Sequence, residues 1–346
     1  MRAAELVGLR RFRLVDEPSP DPSPGEVEVQ VQAVGVCGSD MHSYAEGAIG
    51  DTPVVYPMVL GHEAAGVVAR VGAGVTGWSV GDRAAFEPSL FCYHCPYCLR
   101  GRHNLCTSMR FLSTPGGDPG FLRDRVNLPP RNLLPLPGTL SIAEGTLIEP
   151  LSIALHSMRL AAPVQGETAA VFGAGPIGLL TIAALKAAGV RRLWAVEPLA
   201  HRRALAAGIG ADAVLDPADG NPGATIVAES GGLGVDMVYD CATKGDTTDE
   251  SLRAAAPGGR VVLTGIPSEL RVSVDVHLWR RKELAVFQVR RSNGELEAAR
   301  DLLARQTPLF APLITHHRPI DRIADAFALI ERYDDGVGKL LVRLDP

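Results

Sequence analysis

Thr168-Ala-Ala-Val-Phe-Gly173-Ala-Gly-Pro-Ile-Gly178-Leu-Leu runs from a short apolar stretch, through three spaced glycines, into an Ala/Leu/Ile-rich segment. Residues 168–172 read as a buried strand, and 176–188 as a helix closed by Gly189. A Gly-x-Gly-x-x-Gly turn between strand and helix is built to hold a pyrophosphate. Its first glycine makes the turn, its second admits the ligand, its third lets helix and strand pack, and the helix N-terminus faces the phosphates. Gly173, Gly175, Pro176, Ile177 and Gly178 are therefore the expected cofactor-binding positions. Glu197 ends the next apolar stretch, nineteen positions after Gly178. An acid there binds adenosine ribose hydroxyls and repels a 2′-phosphate, which favours NAD over NADP. Arg202 and Arg203 follow; they read as solvated helix charges, or Arg202 lies along the coenzyme.

Working outward, residues 192–197, 235–240 and 260–264 repeat the short apolar strand, with helical patterns at 200–207 and 249–256. Alternating strands and helices imply βαβ units and a doubly wound parallel sheet, an α/β Rossmann domain over 153–289. Upstream the texture differs. Residues 26–34 alternate polar and apolar, and short apolar runs broken by Gly and Pro continue to about 140, which reads as an irregular β-rich domain over 1–152. Amphipathic helices at 295–304 and 320–332 and a last strand at 339–344 place 290–346 with that first domain.

Length and composition agree with two domains, since 346 residues exceed one typical compact core. Apolar residues make up 46% and charged residues 21%, as in ordinary globular enzymes. A net charge of -5 gives no electrostatic reason for nucleic acid or an anionic membrane as partner. No apolar run approaches the roughly 18 residues of a membrane span. The first residues lack a signal-peptide core, so the expected address is cytoplasmic.

Four of the six cysteines crowd into Cys92-x-x-Cys95-x-x-Cys98-x7-Cys106. Such spacing suits tetrahedral all-thiolate zinc, and four thiolates leave no open position, so this zinc is structural. An iron–sulfur cluster or free thiols are the alternatives. Cys37 and His62 stand in separate segments, Cys37-Gly-Ser-Asp-Met-His42 and Gly61-His-Glu63. A catalytic zinc needs three protein ligands and an open position. The third ligand is Glu63 or Glu149, the latter in Leu147-Ile-Glu-Pro-Leu-Ser152, and the residues alone leave both open.

These motifs together resemble the zinc-dependent medium-chain dehydrogenases, most of all the sorbitol (polyol) dehydrogenases, over essentially the whole chain. Gly61-His-Glu-x-x-Gly66-x5-Gly72-x-x-Val75 matches the family's zinc signature. Pro57-Met-Val-Leu-Gly-His-Glu63 and Glu144-Gly-Thr-Leu-Ile-Glu-Pro-Leu-Ser152 resemble the polyol branch. The resemblance implies a GroES-like catalytic domain, a Rossmann coenzyme domain and a homodimer or homotetramer. It implies that Cys37 and His62 bind zinc, with Glu63 and Glu149 sharing the third-ligand and water-holding roles. Ser39 matches the hydroxyl that takes the alcohol proton, and His42 the imidazole that passes it on. Arg290 matches an arginine near substrate hydroxyls, and Tyr44 and Phe111 are pocket-lining positions. Ser43 and Arg291 depart from the pattern, each standing where an aromatic residue is common.

The expected activity is zinc-dependent, NAD-linked oxidation of a secondary alcohol of a polyol or sugar to the ketone. Threonine, butanediol or glucose dehydrogenase chemistry is the alternative within the family, and a non-catalytic cofactor-binding protein is the remote one.

Overall fold

The computed structural model describes residues 1–344. The chain divides into two compact units, one of Met1–Pro150, Leu296–Thr307 and Ile314 onward, the other of Leu151–Glu295 and Pro308–Leu313.

The first unit is built on a seven-stranded sheet. Along it lie Leu133–Pro135, Arg83–Phe86, Glu63–Val71, Val27–Gly35, Lys339–Arg343 and Ile314–Pro319, with Arg125–Leu128 also pairing Val27–Gly35. The alternation read at residues 26–34 becomes the central strand because its apolar side packs Val27, Val29 and Val31 into the core. The zinc-signature strand begins at Glu63 and pairs antiparallel with the central strand so that Gly35 faces Glu63. Leu341 pairs with Gly35 from the other side. This register brings the end of the central strand, just before Cys37, together with the His-Glu pair and the final strand.

The second unit is a six-stranded sheet, parallel throughout, in the order Ala213–Leu215, Arg192–Val196, Thr168–Phe172, Val235–Asp240, Ala255–Leu263 and Ala285–Gln288. Numbered along the chain this is 3-2-1-4-5-6, the doubly wound order of dinucleotide-binding folds. Thr168–Phe172 is buried at every position, as its continuous apolar run requires. Helices Pro176–Ala187 and Ala200–Gly208 fall where the periodicity put them. The pattern at 249–256 is displaced. The helix is Thr247–Ala254, and Ala255 already opens the next strand, whose Pro-Gly-Gly segment bulges against Val235–Asp240. The segment at 320–332 opens with a short turn of 3-10 helix before the helix proper, Ile323–Arg332. Among the described residues no helix is long and apolar enough to cross a membrane.

Candidate active site

Cys37 caps helix Gly38–Ala45, and Asp40, three residues on, accepts a hydrogen bond from the Cys37 amide at 3.0 Å. That reciprocal cap holds the thiol at the helix start. His62 and Glu63 open the paired strand, both buried. One ligand atom from each of Cys37, His62 and Glu63 lies within 4.8 Å of the others. A thiol, an imidazole and a carboxylate drawn together from separate segments form the mixed donor set that zinc takes. The residues fit the metal.

Asp40 also faces His62, with its Oδ1 3.5 Å from Nδ1. Burial would raise the Asp40 carboxyl, but the neighbouring His62 outweighs it and holds the group below its ordinary value. Burial likewise works against His62⁺, yet Asp40 and Cys37 lift the imidazole well above its ordinary value. With Nδ1 turned to a carboxylate, Nε2 is the nitrogen left for a metal, the arrangement that fixes tautomer and ring orientation. Asp40 is a residue the sequence reading missed. Its position at N3 of the helix capped by Cys37 was the available signal.

Lys339 is the second such residue. Fully buried, it pairs with the Glu63 carboxylate and donates to the Val36 carbonyl at 2.9 Å. Gly35 lies underneath; a Cβ there would collide with the Glu63 carboxylate and press the Lys339 side chain. Nothing near Lys339 in sequence announces this role, because the final strand reaches Glu63 only through sheet pairing.

Glu149 sits in the first turn of helix Ile148–Ala161, buried, and outside the close Cys37–His62–Glu63 cluster. Burial pushes its carboxyl up to about 8, with Glu63 and Glu87 adding to the rise and His62 opposing it. Of the two carboxylates left open by the sequence, Glu63 is the one brought against Cys37 and His62. Ser39 and His42, three apart, share a face of their helix, and His42 Nδ1 lies 3.1 Å from Glu46 Oε1. Phe111 stacks at a tilt on His62, ring centroids 5.5 Å apart.

Tyr44 requires a correction. Expected at the substrate, it is 3% exposed and packs between Phe12 and Phe327, at centroid distances of 5.7 and 5.1 Å. Five residues beyond Ser39, it emerges about 140° around the helix, on the core side with Asp40. Ser43, whose departure from the aromatic pattern was noted, is also fully buried.

The sulfurs of Cys92, Cys95, Cys98 and Cys106 also lie within 4.8 Å of one another, and none is in a disulfide. Cys92 Sγ is 3.4 Å from Cys106 Sγ and 3.9 Å from Cys98 Sγ. Zinc–sulfur bonds of about 2.3 Å in a tetrahedron imply sulfur separations near ~3.8 Å, so this spacing fits a zinc. Backbone amides already point at the sulfurs, Cys95 N to Cys92, Cys98 N to Cys95 and Cys92 N to Cys106. Amides of Cys98 and Thr107 hold the Cys95 thiol down to about 5, while burial pushes Cys98 up to about 12. Four thiolates at this range need a cation to coexist.

In the second unit, Gly173 turns at φ +88°, and a Cβ on Gly178 would collide with the Gly173 carbonyl. The glycines are thus demanded by the backbone itself. Glu197 is buried and receives the Ala174 amide at 2.7 Å and the Leu199 amide at 3.0 Å, one on each oxygen. Each oxygen keeps a further lone pair for a ribose hydroxyl. Arg202 is buried with its guanidinium beside Gly175, whereas Arg203 is tied to the Glu197 and Pro198 carbonyls and to Asp216. Arg290 follows strand Ala285–Gln288 in this same unit.

Comparison with known proteins agrees with this chemistry. Residues 23–138 match the alcohol dehydrogenase GroES-like domain, and residues 176–305 the zinc-binding dehydrogenase domain. Sorbitol dehydrogenase of Bacillus subtilis is 31% identical over 344 residues, covering 99% of this chain and 97% of that protein. A probable D-xylulose reductase A of Aspergillus clavatus is 37% identical over 286 residues, 81% of this chain and 79% of that one. The crystal structure of 2R,3R-butanediol dehydrogenase from Bacillus subtilis superposes with a TM-score of 0.89 at 31% identity, over 99% of both chains. With these matches, this chain, which carries a four-cysteine group, a Cys-His-Glu group and a glycine turn, belongs to the zinc-dependent medium-chain dehydrogenase family and is polyol-dehydrogenase-like.

Proposed function

We propose that this chain oxidises a secondary alcohol of a polyol or sugar to the ketone, using NAD and a zinc held by Cys37, His62 and Glu63. The observation that carries the reading is the approach of those three donor atoms to within 4.8 Å. When bound, the zinc supplies Lewis acidity toward an alcohol and NAD a hydride acceptor. Ser39 receives the alcohol's proton, and His42 hands it to water. His42 is placed for this, its side chain partly exposed with Glu46 alongside. Glu149, its carboxyl buried, holds water next to the ligands. Phe111, its ring on His62, lines the substrate side of the first unit; in the second unit Gly173, Gly175, Pro176, Ile177, Gly178, Glu197 and Arg202 hold NAD. The four-cysteine loop carries a second, structural zinc.

The test is reduction of NAD, with NADP in parallel, across polyols, sugars, diols and threonine. Turnover of polyols with NAD is the expected result. Silence toward every alcohol in protein holding two zincs per chain would sink the reading. A vicinal diol as substrate is the second reading, supported by the likeness to butanediol dehydrogenase. Preference for butanediol over sorbitol in the same panel would select it.

The chain is also proposed to form a homodimer or homotetramer in the cytoplasm. Ala285–Gln288 is the outermost strand of its sheet, with Val286 and Phe287 only partly buried, an edge open to pairing with a second copy. Light scattering on the eluted protein decides it, and a monomer at micromolar concentration overturns it. Six cysteines, none in a disulfide, suit a reducing compartment, and cell fractionation tests that address.

A further inference from the structure

The four-cysteine loop springs from a two-stranded ladder, Ser89–Leu90 paired with Arg110–Phe111. The chain leaving that ladder does two things at the proposed catalytic zinc site. Phe111 lays its ring against His62, and Ser113, two residues on, points its hydroxyl at Asp40 Oδ1 at 2.9 Å. Ser113 is 3% exposed and sits at φ +68°, a left-handed conformation that costs a non-glycine residue energy. The backbone around it is pinned by Leu112 N to the Pro88 carbonyl at 3.0 Å and by Ser113 N to the Asp118 carbonyl at 2.9 Å. Asp40 is 1% exposed, and its carboxylate collects the Cys37 amide, the Gly61 amide at 3.2 Å and the Ser113 hydroxyl. The two amides come from the segments that carry Cys37 and His62. The hydroxyl comes from a third, the end of the zinc-loop ladder.

We propose that Ser113 is a positioning residue for the catalytic metal. Its hydroxyl locks the rotation of the Asp40 carboxylate so that one oxygen stays aimed at His62 Nδ1 and the imidazole keeps Nε2 on the metal. Without the hydroxyl, Oδ1 keeps only the longer 3.2 Å bond from the Gly61 amide, while Oδ2 stays on the Cys37 amide, and its aim at a histidine 3.5 Å distant loosens. Partners of this kind beyond the ligands typically change metal affinity by about 10- to 100-fold. The proposal rests on the reading of Cys37, His62 and Glu63 as zinc ligands.

The experiment uses the full-length zinc-loaded chain and follows zinc transfer to a chromophoric chelator. The phase missing from Cys37→Ser identifies the catalytic site. Ser113→Ala and Ser113→Gly both delete the hydroxyl, but glycine relaxes the left-handed backbone, so a purely conformational role would spare Ser113→Gly. The expected result is catalytic-zinc release faster by about tenfold in both variants, with the structural-zinc phase unchanged. The visible bands of cobalt placed at the catalytic site should shift in both. Two zincs with unchanged release and unchanged cobalt bands would overturn the role of Ser113 alone. A wild-type chain holding only the structural zinc would overturn the metal reading and the proposal with it.

Discussion

Asp40 Oδ1 stands 3.5 Å from His62 Nδ1, and the same carboxylate accepts the Cys37 amide. One buried acid therefore holds both Cys37 and His62, the proposed zinc ligands that come from separate parts of the chain. Asp40→Asn preserves the shape and removes the charge. Catalytic-zinc affinity should fall by about 10- to 100-fold, with turnover falling alongside. Metal content after dialysis against a chelator measures this, and full retention would contradict the assigned role.

In zinc-stripped protein Lys339→Met should be strongly destabilising, because there it leaves the Glu63 carboxylate buried with no cation beside it. Removing one member of such a pair costs about 3–5 kcal/mol. Lys339→Arg, which keeps the charge, should recover much of that loss. Urea unfolding of the chelator-treated chain separates the two, and equal midpoints for Lys339→Met and wild type would refute the argument.

Glu28 lies fully buried on the central strand, receiving Arg70 at 2.9 Å, Arg125 at 2.6 Å and Ser19 at 2.8 Å. Burial alone would raise its carboxyl, but these donors hold it down to about 2, against an ordinary 4.5. A depressed carboxyl stabilises the fold fully above pH 4.5, and that contribution drains away as pH falls from 4.5 toward 2. Its size is about 2–3 kcal/mol. Glu28→Gln should lower stability at pH 7 and flatten the loss over that acid window. A variant whose stability falls as steeply as wild type through it would show the pairing to be inert.

Glu197→Gln keeps an acceptor for the Ala174 amide and discards the charge. The turn should stay folded while the preference for NAD over NADP shrinks by about tenfold, a change of ~1.4 kcal/mol. Ratios of kcat/KM for the two coenzymes provide the measurement.

Cys98→Ser should cost one zinc per chain and lower the thermal midpoint, since the loop's hydrophobic contacts are few beyond Phe91, Met109 and the sulfurs. Because Phe111 and Ser113 hang from the same ladder, the remaining catalytic zinc should also exchange faster. Normal exchange in a folded Cys98→Ser protein would show that the two metal sites are independent.

Much of the molecule is legible in the chain itself where the determinants are local. The glycine turn must be glycine because Gly178 packs against the carbonyl of Gly173, five residues earlier in the same strand–turn–helix unit. The four cysteines close on one another within fifteen residues, and the alternation at 26–34 already marks a strand, although the sheet buries its polar Glu28 as well. What only tertiary structure decided arises from sheet register and from helix rotation. Pairing of Gly35 with Glu63, and of the last strand with Gly35, brings Glu63 against Cys37 and His62 and delivers Lys339 from the far end of the chain. Rotation along Gly38–Ala45 sends Tyr44 into the core with Phe12 and Phe327 while Ser39 and His42 share another face. Composition and motif spacing determine which chemistry the chain can hold. Which of two equivalent carboxylates meets the thiol depends on hydrogen-bond pairing between strands distant in sequence, and no local pattern encodes that distance.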